Sequence, residues 1–543
     1  MYSIFLRKSN ELDCPHNSPL GFRQLGASSG NPMLARALLV SLIVGHAHGH
    51  LMTTLVTPGA VHSSRGAPPL ARQPSGGSVT LAASAAVGNL LQGYNTGIVA
   101  AALLSIVPEF GLQQRPGMVG LIASSTTLGA VTGTIASGPL CDRTGRRGAL
   151  ILSSALFLLG GALMGWSPRV EILIVGRLVS GVATGLVSTA VPQYLAECAL
   201  PAWRGALSTL PQLCVSSGIL LSYVVGLVSL LRPEASWRLM LGLSLLPATL
   251  QALALLRLPE SPRWLLSRRA DVAAARDALE RLRGTSDVEQ ELRELRDGLA
   301  RERDAATAAG GRGAAFSMRQ LFRSPALRRT LLVCTTLQMC QQLSGINAIV
   351  YFTPQILREA GAPAMFAGRG WSDEAAAMAA TTLAYLPKIP AVLLTTYLID
   401  RVGRRALLSA FTPIMALCLL ALAAATGGVF SGATAGLVSM SAVTLYGLVF
   451  GMSLGPIPNI LASELFPTDA RSSGVALSTS GQWVFNALVA AAFPALAATV
   501  GTPGAPCGFE PYPYPYPYPY PYSEPYSEPY PELQPQPAPQ PQP

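Results

Sequence analysis

Between about residues 79 and 500 the chain alternates long apolar runs with short polar breaks. Each run is close to 20 residues or longer, the length an α-helix needs to cross roughly 30 Å of hydrocarbon. Six fall early, at about 79–107, 118–140, 148–166, 171–192, 205–231 and 239–256. Five follow, at about 330–352, 375–399, 406–427, 433–466 and 472–500. The pattern predicts an all-α membrane protein with about 11 spans.

The segment between these sets, 258–329, is charged. It carries helix-like stretches near 270–283 and 287–304, with Asp277 four residues before Arg281 and Glu289 four before Arg293. It reads as a solvated helical linker between a six-span half (79–257) and a five-span half (330–500), broken by Gly310-Gly311-Arg312-Gly313. Residues 1–78 contain one short apolar patch, 37–44, preceded by Arg7, Lys8, Arg23 and Arg36. They read as a disordered or a targeting extension. From 501 to 543 the sequence becomes Pro-Tyr and then Pro-Gln repeats, which exclude helix and sheet and predict an extended, low-complexity tail.

A signature occurs twice. Asp142-Arg143-Thr144-Gly145-Arg146-Arg147 returns as Asp400-Arg401-Val402-Gly403-Arg404-Arg405. Each copy is followed by a glutamate and, seven residues later, an arginine: Glu197 with Arg204, and Glu464 with Arg471. Repeated charged elements in fixed order, with apolar sequence between, indicate two related halves. The arginine loops follow even-numbered spans, so they should face the cytoplasm, and eleven spans would leave the tail on the opposite side. Ion pairs of Glu197 and Glu464 with these arginines are expected to latch the two halves together on the cytoplasmic side and to release when it opens. Simple positive-inside anchoring explains the arginines but not the repeated glutamates.

Composition narrows the chemistry. Half of the 543 residues are apolar and only 12% are charged, against about a quarter in soluble domains. The net charge of +10 sits in short loops without interleaved aromatics, so the partner it implies is the lipid bilayer and not a nucleic acid. All five histidines precede the first firm span, and the cysteines are scattered singly. No metal site, cofactor or nucleophile–base pair is expected, and the chain is not read as an enzyme. Oligomeric state is not readable.

The motifs place the chain in a family. Gly93-Tyr94-Asn95-Thr96-Gly97, the two Asp-Arg-x-Gly-Arg-Arg loops, Pro192-Gln193-Tyr194-Leu195-Ala196-Glu197, Pro259-Glu260-Ser261-Pro262-Arg263, Gln341-Gln342-Leu343-Ser344-Gly345-Ile346-Asn347 and Gly455-Pro456-Ile457-Pro458-Asn459 are correctly ordered and spaced. Over about 79–500 the chain resembles the sugar-porter branch of the major facilitator superfamily. Gly88 to Gly93 and Ser236 to Gly242 look closest to plant tonoplast monosaccharide transporters, whereas Gly93 to Gly97 read like animal facilitative glucose transporters.

The resemblance implies the major facilitator fold, two six-helix-type halves with the second lacking its last helix, and a monosaccharide substrate such as a hexose. A sugar needs amides and hydroxyls in an apolar cavity, plus an aromatic face. By the same resemblance Gln212, Gln341, Gln342, Asn347 and Asn486 would contact the sugar. Trp483 and Phe352 would offer ring surface or gate the cavity, Gln482 is a weaker candidate, and Asn459 would make a direct polar contact. Proton-driven members resemble this chain around Gly93-Tyr94 but carry aspartate where it has Asn95, and Arg177 matches the partner of that aspartate. An amide does not titrate, so facilitative uniport is expected. Lys388, inside a span between Pro387 and Pro390, is open to three readings: snorkelling, lining the cavity, or titrating. The competing readings of the whole chain are a proton-coupled carrier, a sugar sensor signalling through its tail, and an inactive, truncated or misread homologue. The membrane is the plasma or the vacuolar membrane.

Overall fold

The computed structural model describes residues 76–199, 204–232, 236–308, 318–466 and 468–500. The expectations for most of the N-terminal extension, the glycine-rich break in the linker and the Pro-Tyr tail lie outside the described residues, as do the side chains of Arg204, Asp400 and Arg471. Among the described residues all regular structure is helical. The first half comprises α1 (Gly76–Glu109), α2 (Pro116–Gly165), α3 (Val170–Cys198), α4 (Arg204–Leu230), α5 (Trp237–Gly242) and α6 (Leu245–Arg257). The linker contains α7 (Val272–Arg283) and α8 (Glu289–Ala308). Then come α9 (Met318–Arg323), α10 (Pro325–Leu343), α11 (Ile346–Glu359), α12 (Asp373–Tyr385), α13 (Lys388–Val402), α14 (Arg404–Thr426), α15 (Gly432–Met452), α16 (Ile457–Leu465) and α17 (Thr468–Val500).

Nine described helices are long and apolar enough to cross a membrane, against the eleven spans expected. The difference has two sources. The 50-residue α2 covers two expected spans, and Gly145 breaks its helical path with φ +84 and ψ 173. The seventh expected span is divided into α10 and α11 and carries Gln338, Gln341, Gln342 and Asn347, which lower its apolarity.

Small residues allow α2 and α3 to pack backbone to backbone. A side chain at Gly129 would meet the Leu178 carbonyl, and one at Gly181 the Thr126 carbonyl. The main apolar core joins both halves, with Tyr94, Ile98 and Ile122 from the first and Phe352, Tyr446 and Phe450 from the second. Outside it, exposed leucines such as Leu246, Leu250, Leu332 and Leu417 present the apolar surface that lipid requires.

The linker is tied to the first half. Leu282 is buried with α2 and α3 residues, Arg283 Nη1 donates to the Cys198 carbonyl at 3.0 Å, and Arg263 pairs with Glu302 at 2.7 Å. Asp277 and Arg281 pair at 3.1 Å, as their spacing predicts. Glu289 does not pair through its side chain with Arg293: it faces Arg276, and Arg293 Nε reaches only the Glu289 carbonyl. Packing α7 against α8 brings Arg276 nearer than the next turn of α8.

Candidate functional site

The break between α10 and α11 builds the centre of the site. Gly345 takes φ +88, a conformation that side-chain-bearing residues rarely adopt. Ser344 Oγ donates to the Gln341 carbonyl at 2.7 Å, and the Tyr446 hydroxyl donates to the Ser344 carbonyl at 2.9 Å. Backbone groups freed by the interruption are thereby satisfied, as the membrane interior demands. The turn sets Gln341 and Gln342 at the end of one helix and Asn347 at the start of the next.

These three amides form a relay. Asn347 Nδ2 donates to Gln342 Oε1, Gln342 Nε2 donates to Gln341 Oε1 at 3.1 Å, and Gln341 Nε2 donates to the Leu454 and Gly455 carbonyls at 2.6 and 2.8 Å. Each amide nitrogen carries two hydrogens and each oxygen two lone pairs. Gln341 spends both hydrogens on backbone, which fixes the relay's direction. One hydrogen each on Gln342 and Asn347, and the Asn347 oxygen, stay available. That mixture of donor and acceptor suits hydroxyl groups.

α17 runs alongside the break. Gly481 approaches Thr335 of α10, and Phe493 stacks on Phe352 of α11 with ring centroids 5.0 Å apart. Between those contacts Trp483 and Asn486 are buried, with the indole Nε1 and the Asn486 Oδ1 lacking partners. A buried polar atom without a partner costs about 1–3 kcal/mol, so both are suited to a polar ligand. Phe352 is held by Phe493 and by the edge of Tyr351. Gln482 and Gln212 are half-buried. Asn459 is exposed, and its Oδ1 accepts from Gln338 Nε2 at 2.8 Å. Gln338 was missed by the sequence reading, although it shares one helix face with Gln341 and Gln342 at spacings of three and four.

In this conformation each charged signature pairs within its own half. Arg146 donates through Nε and Nη2 to Glu197 Oε1 at 3.1 and 2.8 Å, within the first half. Arg404 Nη2 meets Glu464 Oε1 at 2.8 Å, within the second. Both pairs therefore hold their own half in this conformation, because each glutamate ends the helix beside its own loop. Asp142 pairs with Arg268 of the linker at 2.5 Å. Arg147 donates to the Leu255 and Leu256 carbonyls, each at 2.8 Å. Arg401 lies over the Tyr397 ring at 4.3 Å, and Arg143 and Arg405 are exposed. Glu260 belongs to a sequence motif that by itself assigns it no role. It accepts the backbone N–H groups of Arg146, Arg147 and Ser261 at 2.9, 3.1 and 2.8 Å.

Contacts between the halves gather at the end away from these loops. The Tyr223 hydroxyl donates to the Val350 carbonyl at 2.8 Å, and its ring meets Tyr385 edge-on at 5.2 Å. A side chain at Gly120 would strike the Ala491 carbonyl, and one at Gly226 would approach Met378. A narrow cavity between the halves is lined by Tyr223, Thr353, Thr381, Tyr385 and Lys388, among others. None of the sequence-predicted amides lines it, though Ile346 of its wall adjoins Asn347.

Asn95 and Arg177 are both buried, but they are not bonded to each other. Asn95 Nδ2 donates to the Leu91 carbonyl of its own helix at 3.1 Å. Arg177 Nε donates to the Ile122 carbonyl at 2.7 Å and Ser125 Oγ at 3.2 Å, and Nη2 to the Ala123 carbonyl at 3.4 Å. The guanidinium is thus held by α2 carbonyls. Among the described residues no group of histidines, cysteines or carboxylates has metal-binding geometry.

A family model described as sugar (and other) transporter matches residues 81–513. Facilitated glucose transporter member 3 of Oryctolagus cuniculus is 33% identical over 432 residues, covering 77% of this chain and 83% of its own length. The putative metabolite transport protein YwtG of Bacillus subtilis is 32% identical over 416 residues, covering 77% and 85%. Among solved structures, the major facilitator superfamily proton:xylose symporter XylE bound to 6-bromo-6-deoxy-D-glucose is similar with a TM-score of 0.63 at 25% identity, covering 79% of this chain and 92% of that one. The partially occluded inward-open form of the xylose transporter XylE from E. coli gives a TM-score of 0.63 at 23% identity, covering 77% and 92%, and shows the shared fold.

Proposed function

The chain belongs to the sugar transporter family of the major facilitator superfamily, a family of integral multi-pass membrane proteins that are transporters and not enzymes, and we propose that it carries a monosaccharide by alternating access as a facilitative uniporter. The observation that carries the reading is the amide relay at the α10–α11 break, Asn347 to Gln342 to Gln341. It leaves hydrogen-bonding capacity of both senses beside the unpartnered Trp483 Nε1 and Asn486 Oδ1. A hexose hydroxyl, which both donates and accepts, complements such a set. Gln212, Gln482 and the Gln338–Asn459 pair would contribute at its edge, with Phe352 closing it. The halves meet at the end away from the arginine loops, so the conformation described is the one open toward those loops, which the positive-inside rule puts at the cytoplasm. The membrane would be the plasma or the vacuolar one.

Uniport rests on Asn95 and Arg177. The amide does not titrate, and the guanidinium is satisfied by Ile122, Ala123 and Ser125 without a carboxylate. Labelled hexose should equilibrate across proteoliposomes at the same level with and without a pH gradient. Accumulation above equilibrium driven by the gradient would make it a proton-coupled carrier, and no flux of any monosaccharide, neutral or acidic, from folded protein would make it a sensor or an inactive homologue.

A further inference from the structure

Two cations are buried inside the bundle among the described residues, and they are treated oppositely. Arg177 is surrounded by oxygen acceptors. Lys388 is 5% exposed, at the start of α13, and among the described residues its ammonium has neither a carboxylate nor a hydrogen-bond acceptor. Its contacts are two ring faces, Tyr385 at 4.7 Å and Phe450 at 5.5 Å. Such contacts return only part of the hydration that a buried ammonium loses. Four described acidic side chains at the ends of the spans are committed elsewhere: Glu109 to Arg238, Asp142 to Arg268, Glu197 to Arg146 and Glu464 to Arg404.

Lys388 lines the cavity between the halves. On the same wall the Tyr385 hydroxyl, buried beside Ser216, makes no well-formed hydrogen bond. The Tyr223 hydroxyl is already spent on the Val350 carbonyl, and those of Thr353 and Thr381 on carbonyls of their own helices. The residues that line this cavity thus include one cation and one tyrosine with a spare hydroxyl, and no anion.

We propose that Lys388 and Tyr385 form a carboxylate-binding subsite, so that the carried monosaccharide is a sugar acid. The proposal rests on the transport reading above and names the class of its substrate. A single ammonium balances a single negative charge. A carboxylate brings one, whereas a phosphate monoester brings close to two and would leave charge uncompensated in the bundle. The sugar hydroxyls would be met by the amides beyond Ile346, whose neighbour Asn347 begins the relay.

The test uses the full chain in proteoliposomes, with labelled glucuronate and labelled glucose as substrates. Unlabelled glucuronate, its neutral methyl ester and glucose 6-phosphate serve as competitors. Glucuronate should enter and should compete at least about tenfold better than its ester, the change that a charge-assisted hydrogen bond of modest strength gives. Glucose 6-phosphate should compete poorly. Lys388→Met should lower the glucuronate-to-glucose uptake ratio by about tenfold, and Lys388→Arg, which keeps the charge, should restore part of it. Equal competition by acid and ester in the wild type overturns the proposal even if Lys388→Met does not fold, and stronger competition by glucose 6-phosphate replaces the carboxylate with a phosphate. Glucose flux without any glucuronate flux or competition ends the carboxylate subsite and leaves the sugar carrier standing. Absence of flux for every sugar, neutral or acidic, ends both.

Discussion

The two copies of the Asp-Arg-x-Gly-Arg-Arg signature share a backbone and differ in what holds them. Gly145 and Gly403 adopt the same conformation, with φ/ψ of +84/173 and +87/152. In both copies the second arginine after the aspartate pairs with the glutamate that ends a later helix, Arg146 with Glu197 and Arg404 with Glu464. Around the first copy, however, Glu260 receives three backbone N–H groups, Ser261 Oγ donates to Glu197 Oε2 at 2.5 Å, and Trp264 Nε1 donates to the Asp142 carbonyl at 3.1 Å. Around the second, a side chain at Gly403 would meet nothing within 4 Å. The first loop is built into the linker, and among the described residues nothing comparable stands at the glycine of the second. A repeated motif thus fixes a turn and an ion pair, while its rigidity comes from the segment that follows the half. One half is thus the braced one, and the other contains the broken helix and the amide relay.

The largest expected effect is at Glu260. Its carboxylate is the shared acceptor for Arg146, Arg147 and Ser261, and removing it strands three donors at a partly buried turn. Hydrogen bonds to charged groups contribute about 1.5–3 kcal/mol each, with strong overlap among three on one acceptor. Glu260→Ala should therefore lower stability by about 3 kcal/mol and abolish most uptake, read by a thermal melt in detergent and by hexose flux. A melt no lower than that of Glu464→Ala would break the comparison.

Much of this frame was legible in the sequence, for identifiable reasons. Apolar run length marks the helices because lipid enforces it, and the repeated charges mark the turns because they interrupt it. Gln341, Gln342 and Asn347 were legible as polar residues in an apolar run. The relay among them was not, because it depends on the kink at Gly345, which brings residues of two helices into sequence. Glu197 and Glu464 looked equivalent from equal spacing, and only the fold shows Ser261 bracing the first. The same limit hid Gln338, whose partner Asn459 lies 121 residues away. Long-range hydrogen bonding of this kind leaves no local period to read.

Next in size is the glycine pair. Both glycines sit in a region of positive φ with extended ψ that is essentially closed to other residues, costing roughly 1–3 kcal/mol. Gly403→Ala should show that strain alone. At Gly145 the added Cβ would also stand 2.2 Å from Glu260 Oε2, a carboxylate that three N–H donors hold in place. Gly145→Ala should therefore cost about 1–2 kcal/mol more than Gly403→Ala, since overpacking a held group adds to the backbone term. Equal melts would mean that Glu260 yields freely and that the first loop is no stiffer than the second.

The smallest effect, and the sharpest measure of the asymmetry, is in the two ion pairs. Arg146 and Glu197 are 15% and 14% exposed, with two nitrogens on one oxygen and Ser261 on the other. Arg404 and Glu464 are 33% and 44% exposed. Glu197→Gln should cost about 1–3 kcal/mol, since it weakens three hydrogen bonds in a mostly buried site. Glu464→Gln should cost about 0–1 kcal/mol, as exposed pairs do. Raising ionic strength should erase most of the second difference and little of the first, because screening reaches exposed charges first. Melts of the four proteins Glu197→Gln, Glu464→Gln, the double variant and the wild type, at low and high salt, read this directly. Near-additive costs are expected, because the pairs lie in different halves. Strong coupling between them would instead mean that the glutamates and arginines of the two copies pair across the halves in the other conformation, as the latch suggested by the repeated signature requires.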